Sequence, residues 1–500
     1  MTTARYPSGS LSEITCQRSV NGANFSSGNQ NYVFSIGAPN VFVPKESYFI
    51  IDATLTYEGR QPTMNDEIAF SLDAGACMYD NAYVKVGGQD VSSVTNFLPQ
   101  ASIVKHRLSD PKHLRDSVGS SVSMLNPFFR DRRQQIAIDG GTEYSELTIV
   151  PKNPANDDST IAIDTAGVCT GVGTDFVTAD PNFIIVKGMR FTVINITDAT
   201  ELEVAVTPDL LLGAVGATTE YTLYKNEELV GLGANRQFIK WQPPCGFFDH
   251  NEPMGAGDYM ITLNPNSEFK KAMVESAFVL QVGTGAGQFD VVINDVKLYI
   301  ATYQYILPNT PTQFALRELL VQSKTVSGGS EQFTFTVPPS TYALSFFLQA
   351  NTAGSNTFYS PTKLTTNLQE QNGLESYQIT YANKTVPQTR WTGGIGTIGA
   401  LPGQIKRLTV QQRYYDTFTE SGLIVAGPET IVEWIDNGQL VYHNFVRDSK
   451  YPATQVQFSL TGSQTYTVPT KLYLVAHYKT GTAIESSDGM ITSVRQLAIV

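Results

Sequence analysis

Charge is scarce in this chain. Asp, Glu, Lys and Arg make up 16% of its 500 residues, where about 25% is ordinary for a soluble domain. Bases are scarcer still, 34 against 46 acids, for a net charge of −12. Affinity for a phosphate backbone is carried by clustered Lys and Arg, so sequence-specific nucleic-acid binding is excluded as an expectation. Arg5 and Arg18 are the bases of the first 30 residues, too few for an arm that packs a genome. No apolar run approaches the roughly 18 residues of a membrane span. Residues 1–10 lack a basic stretch followed by an apolar one, so no secretory signal is expected. Cysteine is also sparse. Cys16, Cys77, Cys169 and Cys245 have no metal-like spacing and read as free thiols of a protein made inside a cell.

The usual chemical signatures are missing as well. There is no Gly-x-Ser-x-Gly elbow and no His-Glu-x-x-His. Gly393-Gly-Ile-Gly-Thr-Ile-Gly399 resembles a phosphate loop in letters alone, for no Lys-Ser/Thr ending and no helix is expected after it. Asn156-Asp157-Asp158 and residues 436–439 could meet calcium but lack the spacing of a ligating loop. His106 and His113, with Arg107, Arg115 and two lysines, could form an anion site; a solvated helical face is the expected reading. His443 and His477 fall in expected strands beside aromatics and read as packed residues. Asn24-Phe-Ser, Asn195-Ile-Thr and Asn383-Lys-Thr match the glycosylation sequon, unused without secretion. A glycosidase carboxylate pair is assembled in space and leaves no spacing to read. No catalytic, cofactor-binding or metal-binding residue is assigned.

What is present is β-forming sequence, rich in Thr, Ser, Asn and Gly, with 24 Tyr and 26 Phe. The stretch 297–313, Lys-Leu-Tyr-Ile-Ala-Thr-Tyr-Gln-Tyr-Ile-Leu-Pro-Asn-Thr-Pro-Thr-Gln, begins as an alternating strand. It ends as a stiff connector, because Pro308 and Pro311 remove amide donors. Its Lys-Leu-Tyr opening returns at Lys471-Leu-Tyr-Leu-Val-Ala-His-Tyr478. A second word repeats in the same order: Val43-Pro44-Lys-Glu-Ser47-Tyr48 and Val337-Pro338-Pro-Ser-Thr341-Tyr342, each opening an apolar strand. Two markers in one order predict a tandem duplication.

Residues 1–30 read as an arm with little structure. Strands are expected at 32–36, 48–57, 68–72, 82–86, 258–263, 274–282 and 289–303 in the first half. In the second they are expected at 315–323, 332–336, 342–349, 376–381, 405–411, 440–447, 455–460 and 471–478. The run 315–323 could be a short helix by its Leu and Glu content, but the repeat requires a strand before Val337. Short helices are expected within 91–117, and loops over 350–375 and 383–403. Residues 151–226 read as an inserted β module with ten acids and four bases, half of the chain's net charge. Such a module would keep an outer surface soluble and self-repelling.

The expected fold is all-β. A first jelly roll over 31–304 carries the acidic insertion 151–226, a linker spans 305–313, and a second jelly roll covers 314–500. The repeated Val-Pro-x-x-Ser/Thr-Tyr openings, Trp241-Gln-Pro-Pro-Cys-Gly-Phe-Phe-Asp249, Gly255-x-Gly-x-Tyr259, Leu263-Asn-Pro-Asn266, Phe445-Val-Arg-Asp448 and the closing Lys-Leu-Tyr strand follow in order. Together they resemble the double jelly-roll major capsid proteins of polinton-like viruses and virophages, relatives of adenovirus-type hexons. The resemblance covers residues 30–500 apart from the acidic module. It implies a structural protein of the virion, without catalysis or cofactor. That protein would be a homotrimer of pseudo-hexagonal outline meeting neighbouring capsomers, a penton and minor capsid proteins in an icosahedral shell around double-stranded DNA. Two other classes remain open: a trimeric receptor-binding or tail protein, and a jelly-roll carbohydrate-active enzyme with a carboxylate-lined aromatic cleft.

Overall fold

The structure is a computed structural model that describes residues 12–18, 25, 29–60, 62, 68–71, 73–111, 147–150, 159–179, 181, 183–186, 189–204, 214–219, 221–226, 236–276, 281–304, 312–350, 374–392, 403–431, 434, 439–445, 453–462 and 470–497. The glycine loop 393–399, Asn156-Asp157-Asp158, His113, Arg115, Asn24, residues 436–438 and the connector 305–311 lie outside the described residues. The chain forms two compact units. One comprises 1–61, 68–130 and 234–500; the other comprises 62–67 and 131–233.

The first unit opens with β1 (Ser12–Arg18), β2 (Gln30–Ile36), β3 (Asn40–Phe42), β4 (Tyr48–Tyr57), β5 (Ile68–Phe70), helix α1 (Ala74–Cys77), β6 (Tyr79–Val86), β7 (Gln89–Val94) and helix α2 (Leu98–Ser109). The second unit holds β8 (Leu147–Val150), β9 (Thr160–Ile163), β10 (Val168–Val172), helix α3 (Phe176–Ala179), β11 (Phe183–Val186), β12 (Met189–Ile196), β13 (Glu201–Val204), β14 (Val215–Thr218) and β15 (Tyr221–Asn226). The chain then returns to the first unit with β16 (Arg236–Trp241), β17 (Gly257–Pro265), helix α4 (Phe269–Ala272), β18 (Val274–Ser276), β19 (Gln281–Val282) and β20 (Gln288–Gln304). Beyond the connector come β21 (Thr312–Val326), β22 (Ser330–Thr336), β23 (Thr341–Ala350), β24 (Leu374–Tyr381), β25 (Lys384–Thr392), helix α5 (Gly403–Ser421), β26 (Val441–Asn444), β27 (Gln455–Gly462), β28 (Thr470–Ser487) and β29 (Met490–Leu497).

The sheets place these strands in one pattern, used twice. One pair of sheets runs β1-β20-β4-β16 and β2-β17-β6-β7; the other runs β21-β28-β23-β26 and β22-β27-β24-β25. Numbering the eight principal strands of each half from first to eighth, both halves read 1-8-3-6 and 2-7-4-5. That order, antiparallel throughout, is the double Greek key of a jelly roll. The fold is therefore two jelly rolls in tandem. Both insert a helix-bearing segment between the fifth and sixth strands: α2 follows β7 in the first roll, and α5 lies between β25 and β26 in the second.

The repeated words fall at equivalent places. Val43-Pro44 and Val337-Pro338 precede the third strand of each roll, and the two Lys-Leu-Tyr words lie in the eighth strands, β20 and β28. The physical reason is a shared corner. Pro sets φ for a tight turn, and the Ser47 and Thr341 amides donate back to the Pro44 and Pro338 carbonyls at 3.0 and 3.1 Å. The Ser47 hydroxyl donates to the Val43 carbonyl at 3.0 Å and accepts from the Ala301 amide at 2.9 Å. The Thr341 hydroxyl donates to the Pro338 carbonyl at 2.6 Å.

Several expectations are corrected. The segment 1–30 contributes β1, which pairs antiparallel with β20, Ser12 opposite Tyr303. The loop expected over 383–403 contains strand β25, paired with β24. The strand expected at 405–411 lies inside α5, and the closing strand β29 was not foreseen. Residues 315–323 lie in strand β21, as the repeat requires. The inserted unit begins before residue 151, since β8 is the last strand of its sheet, β14-β9-β10-β13-β12-β11-β15-β8. Ile161, Ile184, Phe191, Leu202 and Leu223 bury a core of its own there.

Candidate functional site

The second roll's core lies between its sheets, on Leu344, Phe346, Phe458, Leu472 and Leu474. The alternate residues of the same strands, Phe347, Tyr473 and Val475, point to the opposite face, as the period of a strand demands. There they join the first roll's core, with Leu316, Val321 and Tyr442. Phe347 and Tyr473 stack with centroids 5.1 Å apart, and Phe97, just before α2, meets Tyr473 edge-on at 5.3 Å. The two rolls are thus joined by a buried apolar junction.

Polar groups are set into that junction. Glu318 of β21 is 1% exposed. It accepts a hydrogen bond from the Ser92 hydroxyl of β7 at 2.5 Å and from the Gly246 amide at 3.2 Å. Burial pushes its carboxyl up to about 7, against the opposing pull of those two donors, because desolvation disfavours the charged form. Gly246 is required for this approach: a Cβ there would collide with the Arg317 backbone carbonyl. Arg107 of α2 donates to Glu429 Oε1 from Nε at 3.0 Å and from Nη2 at 2.5 Å, with both side chains 1% exposed. Gln100 Nε2 reaches Gln349 Oε1 at 3.3 Å. Leaving any of these groups buried without its partner would cost more than the bond contributes.

Beside the junction lies a groove of about 700 Å³, bordered by Lys45, Lys105, Asp110, Asp249, Arg317 and Tyr342 among others. Its two carboxylates are engaged: Asp249 with Lys105 at 2.8 Å, and Asp110 with His106 at 2.5 Å. Its histidines are packed. The His250 ring lies 4.4 Å from that of Phe314, and burial lowers its pKa. His477 is lowered to about 3 by burial, and its Nε2 meets the Ser345 hydroxyl at 2.9 Å. Among the described residues no cluster of His, Cys, Asp and Glu is arranged to hold a metal.

The residues considered from sequence are therefore distributed as follows. His106 and Arg107 share α2 but point to different partners, and Arg107 is buried rather than part of a solvated face. His443 is buried, with Nε2 3.1 Å from the Tyr377 hydroxyl. Cys77, Cys169 and Cys245 are buried free thiols. Sequence reasoning missed Glu318, although a lone acid inside Leu316-Arg-Glu-Leu-Leu-Val321 is a readable signal. It also missed the Arg107–Glu429 pair, whose members stand 322 residues apart.

No protein-family model matches the chain, and no curated protein matches it. Among solved structures, the chain is similar to one from the Sputnik virophage at 12% identity, covering 99% of this chain and 90% of that one, with a TM-score of 0.49. The mavirus major capsid protein follows at 11% identity, covering 97% and 90%, with a TM-score of 0.45. The PBCV-1 virus capsid is similar at 10% identity, covering 98% and 99%, with a TM-score of 0.41. Likeness at this level is one of general shape. Independently of it, the order 1-8-3-6 and 2-7-4-5, found twice, makes the chain a double jelly roll.

Proposed function

We propose that this chain is the major capsid protein of an icosahedral double-stranded DNA virus, and that three copies close a capsomer of pseudo-hexagonal outline. The observation that carries the reading is the identical strand order of the two rolls, fused through a buried junction into one compact unit. One roll set against the flank of the next is a head-to-tail contact, and such contacts generate rings where the rotation closes. Two near-equivalent rolls per chain let three chains supply six such units. The order of motifs shared with the double jelly-roll capsid family supports the same reading. So do the sparse charge and abundant aromatics, which suit large subunit interfaces.

In this reading the protein does no chemistry. It resides in the virion shell and meets neighbouring capsomers, a penton and minor capsid proteins through its edges and loops. Its net charge of −12 leaves neutralisation of packaged DNA to other cations or basic proteins. The test is the native mass of the purified chain by light scattering, followed by electron microscopy. The expected result is a species of three times the 54.7 kDa chain mass, stable to dilution and moderate salt, with a hexagonal outline. A stable monomer would overturn the proposal.

A further inference from the structure

Three buried polar atoms of the first roll gather around one cavity without a hydrogen-bond partner: Asp73 Oδ2, Ser102 Oγ of α2 and Trp241 Nε1 of β16. Asp73 is 1% exposed, Ser102 0% and Trp241 3%. Asp73 and Trp241 both border a cavity of about 170 Å³. The His106 ring and the Ser102 hydroxyl of α2 stand beside the Asp73 carboxyl; the hydroxyl is near enough to steady its charge but outside ordinary hydrogen-bond geometry. Gly75 holds this segment against the indole, since a Cβ there would come within 2.8 Å of Trp241 Cγ. Buried polar groups are rarely left unpaired, so several at one cavity point to a bound group that pairs them.

The chemistry of the walls selects that group. Lys45, from the corner before β4, and Lys240 of β16 border the cavity. Among the described residues neither makes an ion pair, and the Lys240 ammonium rests 4.1 Å from the Tyr48 ring centroid. His106 Nδ1 lies 2.5 Å from Asp110 Oδ2. Burial opposes the charged ring, but Asp110 and Asp73 together raise its pKa, which favours a second N–H at Nε2. Glu46, the other acid on the wall, is engaged by the Tyr303 hydroxyl. The walls therefore offer the Trp241 indole N–H and two ammonium groups as donors, around one unpaired carboxylate oxygen. Burial raises the Asp73 carboxyl to about 6, so at pH 7.5 it is mostly ionised and can only accept. The lysines repel a cation, and Asp73 repels an anion that has no proton. An oxyanion carrying one hydroxyl satisfies both: the hydroxyl donates to Asp73 Oδ2, and the other oxygens accept from the indole and the ammonium groups. Inorganic phosphate keeps one hydroxyl at neutral pH. Sulfate has none, and a phosphomonoester loses its own above about pH 6.

We propose that the cavity between Asp73, Trp241, Lys45 and Lys240 binds inorganic phosphate in its monohydrogen form, with Asp73 as the acceptor that selects for the remaining proton. The proposal stands apart from the capsomer reading and needs no second copy of the chain. It gives His106 an anion as neighbour, in the company of Lys45 and Lys240 and not of Arg107, which is buried against Glu429. The ligand would tie α2, the corner before β4 and the end of β16 together. A group that binds the folded chain alone raises its stability by mass action.

The test is calorimetric titration of the full chain at pH 7.5, in a buffer free of both anions, with inorganic phosphate, sulfate and phosphoserine in turn. Phosphate is expected to bind, and the other two to bind at least about tenfold more weakly, because a site built around one hydrogen bond rejects a ligand that cannot make it. Asp73→Asn suits the left-handed backbone of that residue, φ +54°, and its amide donates as well as accepts. It is expected to take sulfate as readily as phosphate. Lys45→Ala/Lys240→Ala, at two exposed positions, is expected to keep the circular dichroism spectrum and to weaken phosphate by about tenfold or more; this arm decides if the Asn variant does not fold. No binding of phosphate at millimolar concentration would overturn the proposal and leave the cavity to water. Equal binding of sulfate by the parent chain, or a preference for phosphate kept by Asp73→Asn, would overturn the role of Asp73. Phosphate binding unchanged in the lysine variant would place the anion elsewhere and overturn the site.

Discussion

Glu318 shows how much of the junction rests on single groups. Its carboxyl is raised from its ordinary 4.5 to about 7 by burial. A carboxyl that ionises less readily in the fold than in the unfolded chain favours folding only while the fold holds the proton. Below pH 4.5 both states are protonated and the difference vanishes. As pH rises from about 4.5 to about 7 the unfolded chain gives up its proton first, so stability falls through that window and stays lower above it. Glu318→Gln removes the charge while keeping an oxygen for the Ser92 hydroxyl. It is expected to raise the melting temperature at pH 8 and leave it nearly unchanged at pH 4. Glu318→Ala, which strands the Gly246 amide and the Ser92 hydroxyl, should cost about 1–3 kcal/mol at both values. Melting curves of the three proteins across pH 4–8 check the sign. A Gln variant no more stable than its parent at pH 8 would remove the buried charge as the cause.

At the scale of elements, helix α5 shows where local pattern and outcome part. Ile405, Leu408 and Val410 are apolar residues in a β-rich chain, and a short window reads them as a strand. The longer window decides otherwise, because no Gly or Pro interrupts residues 404–421. Eighteen unbroken residues bounded by glycines are a helix-length signal. Phe418 is buried against Leu423 and Trp434, giving the helix an apolar anchor. Gly422 ends it with φ +83° and an amide that donates to the Thr419 carbonyl at 3.1 Å. A Cβ there would meet nothing within 4 Å, so the cost of Gly422→Ala is the left-handed backbone alone. It should destabilise by about 1 kcal/mol, read as a lower midpoint in urea with an unchanged slope. Strand β25 was hidden for the opposite reason: Pro387 and the glycines just beyond it give a strand the composition of a loop. The corners were legible because each word, Val-Pro-x-x-Ser/Thr, carries its own turn chemistry.

For the whole molecule, the repeat carried most of the architecture. Two markers in the same order fall at the third and eighth strands of both rolls. Contacts across the junction were not legible, since Glu318 and Arg107 meet partners that only the packing of one roll on the other brings near. The inserted unit was legible by its acidity and short strands, but its start was not, because the pairing of β8 with β15, Leu147 opposite Asn226, leaves no local mark. That boundary makes a prediction with two arms. Replacing residues 131–233 by a short Gly/Ser linker removes a sheet together with its whole core, and should leave the melting temperature of the two rolls and the native mass of the assembly as they are in the full chain. Replacing 151–226 instead strands Leu147–Val150 without its partner, an exposed β edge that invites aggregation. The first protein should run as a single sharp species on size exclusion, and the second should lose material to the void volume. If the longer deletion abolished assembly while both rolls still folded, the inserted unit would have to be part of the contact between copies, and the two rolls alone would no longer account for the ring.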